Sequence, residues 1–435
     1  MNVATMGLIL LVIAVVLLAL KMPIGFLLLI ASFVGLIMAG SLPAALSVMG
    51  SRPFDINRSY DMSVVPLFVL MGHLAYAAGI TERLFSAARK WVGHLGGGLV
   101  HATVLANAAF GACCGSTTAA VAVFGRVAIP EMLEAKVDHG LAAGSVAAGA
   151  NLSALIPPSV LAVFFGVITL TSIPKLLVAG ILPGVLTVVL YAVMIAVRVK
   201  INPSLAPAIA TGMTWKGRFR ELKGVWGVVV LFGLVMGGIW GGIFTPTEGG
   251  AIGCIGSFII VLAFRKFTRT VMKESFLETA RTTAVIFIVV TGAMILTMFL
   301  ALTGLTAAMS GFIIGLPVSP VVLVIGYALL ILFLGCILDP MSCMVVTLPI
   351  IMQPFIQLGI DPIWLGVLTV KLTAVGMITP PLGLNCFMLK SIRPDFSLGE
   401  IFRGCGWFMV MEGIAIALLI TFPQISTFLP ATMYR

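Results

Sequence analysis

Apolar stretches of about 20 residues alternate with short charged, glycine-rich or proline-rich segments along the whole chain. That is the length a helix needs to cross the hydrocarbon core of a bilayer. The pattern therefore predicts an all-α polytopic membrane protein with about ten crossings plus two re-entrant helical hairpins. No stretch is polar enough to predict a soluble domain.

Several boundaries follow from hydropathy alone. Helices are expected at 24–40, 282–302 and 407–427, and the charged segment 41–62 is expected to form an external loop. The uncharged segment 303–320 is expected to lie as an amphipathic arm on the outer surface.

The two predicted hairpins occupy about 95–130 and 320–360. The first contains GACCGSTTAA (111–120), which is too small and polar for a lipid-facing span, and its tip is expected at Gly115-Ser116-Thr117. In the second, Asp339-Pro340 combines an N-cap residue with proline at the first helical position. Because exposed backbone is not tolerated in lipid, both tips must be buried in protein or line a cavity. Whether 320–360 spans fully is left open.

Two further helices are predicted to be broken by consecutive prolines. Pro157-Pro158 interrupts about 140–170, and Pro380-Pro381 interrupts about 363–390. Each pair removes backbone donors and frees carbonyl groups one turn earlier. Carbonyl and hydroxyl oxygens at such ends suit a small cation, whereas the amide ends suit an anion. The tips and breaks are therefore the candidate binding site.

The tips and breaks recur at a nearly constant separation, which indicates an internal repeat. Ser116 corresponds to Pro340, and Pro157-Pro158 to Pro380-Pro381. An odd number of predicted crossings separates the two halves, so the second half is inverted, as in many secondary transporters. The predicted organisation is an N-terminal helix at 1–23, a first repeat at 24–197, a cytoplasmic linker with a connecting helix at 198–247, and a second repeat at 248–435.

Composition supports the membrane class and explains the net charge. Charged residues form 9% of the chain, hydrophobic residues 60%, and the mean hydropathy is +1.20; roughly a quarter of an ordinary soluble chain is charged. The net charge of +10 does not imply a nucleic-acid partner, because most of the 25 Lys and Arg residues fall on one predicted face. By the positive-inside rule that face is cytoplasmic, and both termini are predicted to be periplasmic.

Polar residues inside apolar segments are candidates for function, each with a structural alternative. Buried asparagines such as Asn151 and Asn385 need a partner. Arg126 and Lys371 are either functional or neutralised by pairing. The residues predicted to contact substrate are Gly115, Asn151, Pro158, Ser342, Asn385 and Arg126.

For the other polar residues, the sequence offers a structural role beside or instead of a binding role. Asp339 is either a simple helix cap or a cation ligand, and the two roles are compatible. Thr245 and Glu248 fit a capping box, so we assign Glu248 a structural role. The four histidines and seven cysteines show no metal-ligand spacing, and no motif predicts an organic cofactor.

Five motifs resemble the large membrane subunit of the tripartite ATP-independent periplasmic (TRAP) transporters. They are GACCGSTTAAVAVFGRVAIPEM (111–132), LIPPSVLAVFFG (155–166), GGIFTPTEGGAIG (241–253), LDPMSCMVVTLPIIMQP (338–354) and MITPPLGLNCF (377–387). The resemblance implies an elevator-type ion-transporter-like fold in the inner membrane and sodium-coupled uptake of a small organic anion. It also implies two partners: a small membrane subunit and a periplasmic substrate-binding protein.

The resemblance also implies two sodium sites at the tips and adjacent breaks. The residues carried over are Ser116, Thr117, Pro157 and Ser159 for one site, and Asp339, Thr379 and Gly383 for the other. The first tip departs from the usual Ser-Gly-Ser-Ser, because it reads Cys114-Gly115-Ser116-Thr117. Phe165 stands where the family usually has tyrosine, and Glu248 is followed by two glycines where alanine is usual.

Three alternatives stay open at this point. A stand-alone sodium/anion symporter of similar fold would not require a binding protein. An intramembrane enzyme would need a histidine-rich metal set or paired carboxylates, and a channel would be expected to carry rings of charge.

Overall fold

A computed structural model describes residues 22–208 and 215–433, and within these ranges the regular structure is helical, with no strand. Residues 1–21 of the N-terminal helix predicted at 1–23, and the C-terminal residue Arg435, lie outside the described residues. The first part of the chain forms α1 (Ile24–Ala39), α2 (Leu42–Asn57), α3 (Val64–Ala77), α4 (Ile80–Val92), α5 (Gly98–Cys114), α6 (Thr117–Glu134), α7 (His139–Gly149), α8 (Leu152–Leu155), α9 (Val160–Thr169), α10 (Ile173–Ala179) and α11 (Ile181–Ile201).

The second part repeats this organisation of hairpin and broken helix. Its elements are α12 (Trp215–Trp240), α13 (Pro246–Ala263), α14 (Arg269–Leu302), α15 (Leu305–Ile314), α16 (Pro320–Gly335), α17 (Pro340–Gln357), α18 (Pro362–Gly376), α19 (Leu384–Ile392), α20 (Leu398–Thr421) and α21 (Gln424–Ala431). Six helical stretches of the described residues are long and apolar enough to cross a membrane, or seven with the bent pair formed by α7–α8 and α9. The number of about ten crossings stays a prediction.

The predicted hairpins and breaks are confirmed as helical elements. α5 and α6 are joined through Gly115 and Ser116, and α16 and α17 through 336–339. The first Pro-Pro pair separates α8 from α9 with a bend of 43°. The second separates α18 from α19, and both pairs contain a cis peptide bond.

The expectation of a loop at 41–62 was wrong, and two helices that hydropathy predicted correctly have different ends. The expected loop 41–62 contains α2, because Ser41 caps a helix start by accepting from the Ala44 amide at 3.4 Å. The helix expected at 282–302 begins at Arg269, where Thr268 accepts from the Val271 amide. The helix expected at 407–427 starts at Leu398 and ends at Thr421. In each case local hydrogen bonding extends helix into polar sequence that a hydropathy window excludes.

Close helix packing at glycines occurs within two groups of helices. We call α1, α3, α13 and α14 the scaffold helices. A Cβ at Gly292 of α14 would lie 2.7 Å from the Leu28 side chain of α1, and one at Gly250 of α13 would lie 2.9 Å from Leu67 of α3.

We call α5–α9 and α16–α20 the hairpin bundle. Here α7 and α20 approach at Gly144 and Gly404, where a Cβ at Gly404 would lie 2.6 Å from the Gly140 carbonyl carbon. The largest apolar core lies in this bundle and continues into the scaffold helices.

Candidate functional site

The first hairpin tip is a left-handed glycine followed by a capping serine. Gly115 has φ +62° and ends α5. Ser116 begins α6, its Oγ accepting from the Ala119 amide at 3.4 Å and lying 3.2 Å from Thr118 Oγ1. The turn thus places two hydroxyls at the amide end of an 18-residue helix.

The second tip is built around Asp339. One carboxylate oxygen accepts from the amides of Met341 at 3.1 Å and Ser342 at 3.2 Å, and the other accepts from the Ser342 hydroxyl. A carboxylate offers about four acceptor positions, so one on Oδ1 is left after these bonds. Asp339 therefore caps α17 and keeps capacity for a further ligand.

Both tips line one cavity of about 460 Å³. The second break contributes Met377, and the scaffold helices contribute His73, Glu278 and Thr282. Four predicted site residues are brought together at its wall: Gly115, Ser116, Thr117 and Asp339.

The first break packs directly behind the first tip. A Cβ at Gly115 would overlap the carbonyl oxygen of Pro158 and lie 3.3 Å from the amide nitrogen of Val160. Ser159 caps α9, accepting from the Ala162 amide at 3.1 Å and donating to the Ala154 carbonyl. Pro158 and Ser159 therefore support the tip from outside the cavity lining.

The second break meets the first tip through a side-chain contact. Thr117 Oγ1 donates to Met377 Sδ at 3.3 Å. Thr379 donates to the Val375 carbonyl at 2.7 Å, and Gly383, at φ +55°, starts α19. Pro380 and Pro381 are exposed, whereas Pro157 and Pro158 are buried, so the two breaks differ in their surroundings.

The two candidate asparagines are partners of each other. Asn385 Nδ2 donates to Asn151 Oδ1 at 2.9 Å and to the Ala147 carbonyl at 3.2 Å. Both residues are buried and lie outside the cavity lining. They join the first broken helix to the helix that follows the second break.

The remaining candidates lie away from the cavity. Arg126 is exposed on α6, nearly three turns from the tip. Lys371 is buried and forms an ion pair with Glu412. Thr245 and Glu248 form the reciprocal capping box that starts α13, with the Thr245 amide donating to Glu248 at 2.8 Å.

Three cavity residues and one buried charge partner were not identified from the sequence. His73, Glu278 and Thr282 line the cavity from α3 and α14, far from the hairpin motifs in sequence. Nothing in their local sequence indicates this position. Glu412, in contrast, carried a signal, since a carboxylate inside an apolar helix indicates a buried partner.

The lining residues suit a small cation and a polar organic ligand. Oxygen ligands come from Ser116, Thr118 and Asp339, and hard cations prefer such ligands. No Lys or Arg is among the residues of the described chain that line the cavity, so an anion would be held by the helix amide ends. Within 22–208 and 215–433, no group of three His, Cys, Asp or Glu residues could hold a metal ion.

Fold and site together define a membrane transporter built around two facing helical hairpins. Two solved transporters share the fold: YdaH of Alcanivorax borkumensis, with a TM-score of 0.63 at 15% identity over 87% of this chain and 89% of that one, and MtrF of Neisseria gonorrhoeae, an antimetabolite efflux pump, with a TM-score of 0.62 at 15% identity over 88% and 84%.

The family "Tripartite ATP-independent periplasmic transporter, DctM component" matches residues 11–425. The sialic acid TRAP transporter large permease protein SiaM of Vibrio cholerae is 31% identical over 94% of this chain and 95% of its own. The C4-dicarboxylate TRAP transporter large permease protein DctM of Pseudomonas aeruginosa is 29% identical over 89% and 90%. The chain therefore belongs to this family: it is the large permease subunit of a TRAP transporter, a multi-pass inner-membrane protein and not an enzyme.

Proposed function

We propose that this subunit takes up a small organic anion coupled to sodium. The observation that carries the proposal is the cavity between the hairpin tips, which is lined both by Asp339, a carboxylate with a free acceptor position, and by Ser116 at the start of α6. A cation bound by Asp339 and the tip oxygens would neutralise the acidic charge beside the anion. Cation and anion binding would then favour each other.

The substrate class is supported by the relatives. The Vibrio cholerae protein is named for sialic acid and the Pseudomonas aeruginosa protein for C4-dicarboxylates, and both substrates are organic acids. Two sodium ions moving with a monoanion would supply about 5 kcal/mol, from about 2.3 kcal/mol for one net charge across 100 mV and about 1.4 kcal/mol for each tenfold sodium gradient.

Two partners complete the proposal: a small membrane subunit as added scaffold and a periplasmic protein that delivers the substrate. Family membership supports this arrangement over a stand-alone symporter. The hairpin bundle would move against the scaffold helices, with both chain termini on the periplasmic side.

The test is a sodium titration of thermal stability at constant ionic strength, with potassium as the replacement ion. The melting temperature of the wild type is expected to rise with sodium, to reach a plateau, and not to rise with potassium. Asp339→Asn keeps a capping side chain but removes the charge, so the half-saturating sodium concentration is expected to rise about tenfold or more. Ser116→Ala is expected to raise it more weakly.

Asp361→Asn is the matched control. Asp361 also precedes a proline, also caps a helix, and accepts from the amides of Ile363 at 2.7 Å and Trp364 at 3.0 Å, but it does not line the cavity. Its sodium dependence is expected to equal that of the wild type. Equal responses to sodium and potassium in the wild type would refute sodium coupling.

A further inference from the structure

A buried charge cluster joins three helices of the protein away from the cavity. Lys371 of α18 forms an ion pair with Glu412 of α20, with side chains 4% and 0% exposed. Lys371 Nζ also donates to Thr187 Oγ1 of α11 at 2.8 Å, and the Tyr191 hydroxyl donates to Glu412 Oε1 at 2.5 Å. Thr187 and Tyr191 are one turn apart on α11, so both ends of the ion pair are held by one helix face.

The cluster is unusual in this molecule. The other ion pairs between described residues have side chains at least 20% exposed. Charges buried in a membrane protein are costly, and well-packed apolar residues often stabilise as much as a buried pair. Stability alone is therefore a weak reason for the presence of this pair. Its directional hydrogen bonds suit a role in fixing the relative positions of the helices that it joins.

The contacts of α18 show which geometry the pair controls. All residues from Ile363 to Gly376 are buried. Thr369 lies 2.8 Å from the Tyr327 hydroxyl of α16, and it is about 200° around the helix from Lys371. α18 is thus held on one side by α16, which leads to the second tip, and on the other by α11 and α20.

The end of α18 reaches the cavity about 9 Å beyond Lys371 along the helix axis. Gly376 packs against Gly335 of α16, since a Cβ at Gly376 would lie 2.6 Å from the Gly335 carbonyl carbon. The next residue, Met377, lines the cavity and accepts from Thr117. An axial slide of α18 would move the second break relative to both tips.

We propose that Lys371 and Glu412 are positioning residues that hold the axial register of α18 and so set the affinity of the proposed cation site in the cavity between the two tips, which Met377 also lines. Apolar packing tolerates a small slide of one helix along another, whereas the bonds from Lys371 and Glu412 to α11 do not. The proposal rests on the proposed sodium site, and it assigns the pair no contact with sodium or substrate.

The test uses Lys371→Met/Glu412→Met, which removes the pair without leaving an unpaired buried charge. The half-saturating sodium concentration in the thermal titration is expected to rise at least fivefold. The control is Lys90→Met/Glu221→Met, which removes an ion pair between α4 and α12 and is expected to leave that concentration unchanged. A changed melting temperature with an unchanged half-saturating concentration would overturn the proposal, because it would show a purely structural role.

Tyr191→Phe provides a second test that does not depend on folding of the double variant. It keeps the ion pair and removes one bond to Glu412, so a two- to threefold rise in half-saturating sodium is expected. An unchanged value in this variant would also count against the proposal. A wild type without any sodium-specific response would refute both the proposed sodium coupling and the positioning role. If the wild type responds to sodium and the variants have the same half-saturating concentration, only the positioning role is refuted.

Discussion

Replacing Gly115 with alanine is expected to weaken the sodium response of the protein more than tenfold. Two independent costs meet at this position. Its φ of +62° is left-handed, which costs an alanine about 1–2 kcal/mol, and the added Cβ would overlap the Pro158 carbonyl oxygen. Since that oxygen belongs to the first break, relief of the overlap must separate tip and break, and the half-saturating sodium concentration should rise more than tenfold.

Gly304→Ala is the control that tests the cost of the left-handed backbone without a steric overlap. Gly304 is also left-handed, at φ +73°, but an added Cβ there has nothing within 4 Å. It is expected to lower the melting temperature slightly and to leave the sodium dependence unchanged. Wild-type sodium dependence in the Gly115 variant would show that contact between the first tip and the first break is not needed for the site.

Gly404→Ala is expected to be the most destabilising single methyl addition within α20. The new Cβ would lie 2.6 Å from the carbonyl carbon of Gly140 and would overlap that residue's carbonyl oxygen, so no side-chain rotation relieves the contact. Overpacking typically costs about 1–3 kcal/mol, and a backbone obstacle places this site at the upper end or above. The melting temperature is expected to fall by about 3 °C or more.

Gly406→Ala, two residues further along the same helix, is the matched comparison. A Cβ there meets nothing within 4 Å, and glycine to alanine in a helix interior stabilises by up to about 1 kcal/mol. The two variants should therefore shift the melting temperature in opposite directions, as measured on detergent-purified protein. Equal shifts would mean that α7 and α20 are not in backbone contact in the protein.

The sequence indicated the two hairpin tips of the candidate site but not the other residues that line its cavity. Ser116 and Asp339 were identified because local sequence determines where a helix starts: a capping residue and the residues directly after it. His73 and Glu278 were not, since α3 and α14 carry no break or motif that marks them as cavity residues. Arg126, which the sequence suggested as a substrate contact, is exposed on α6 and is not among the residues that line the cavity.

By itself, the sequence determined the membrane class, the two hairpins, the two broken helices and the family. These depend on hydropathy and on helix-breaking residues, which act within a few positions of one another. Only the tertiary structure decided which groups meet, because the decisive contacts join residues far apart in the chain. Thr117 and Met377 are separated by 260 positions, and Asn151 and Asn385 by 234. Lys371 finds its charge partner on another helix in the same way.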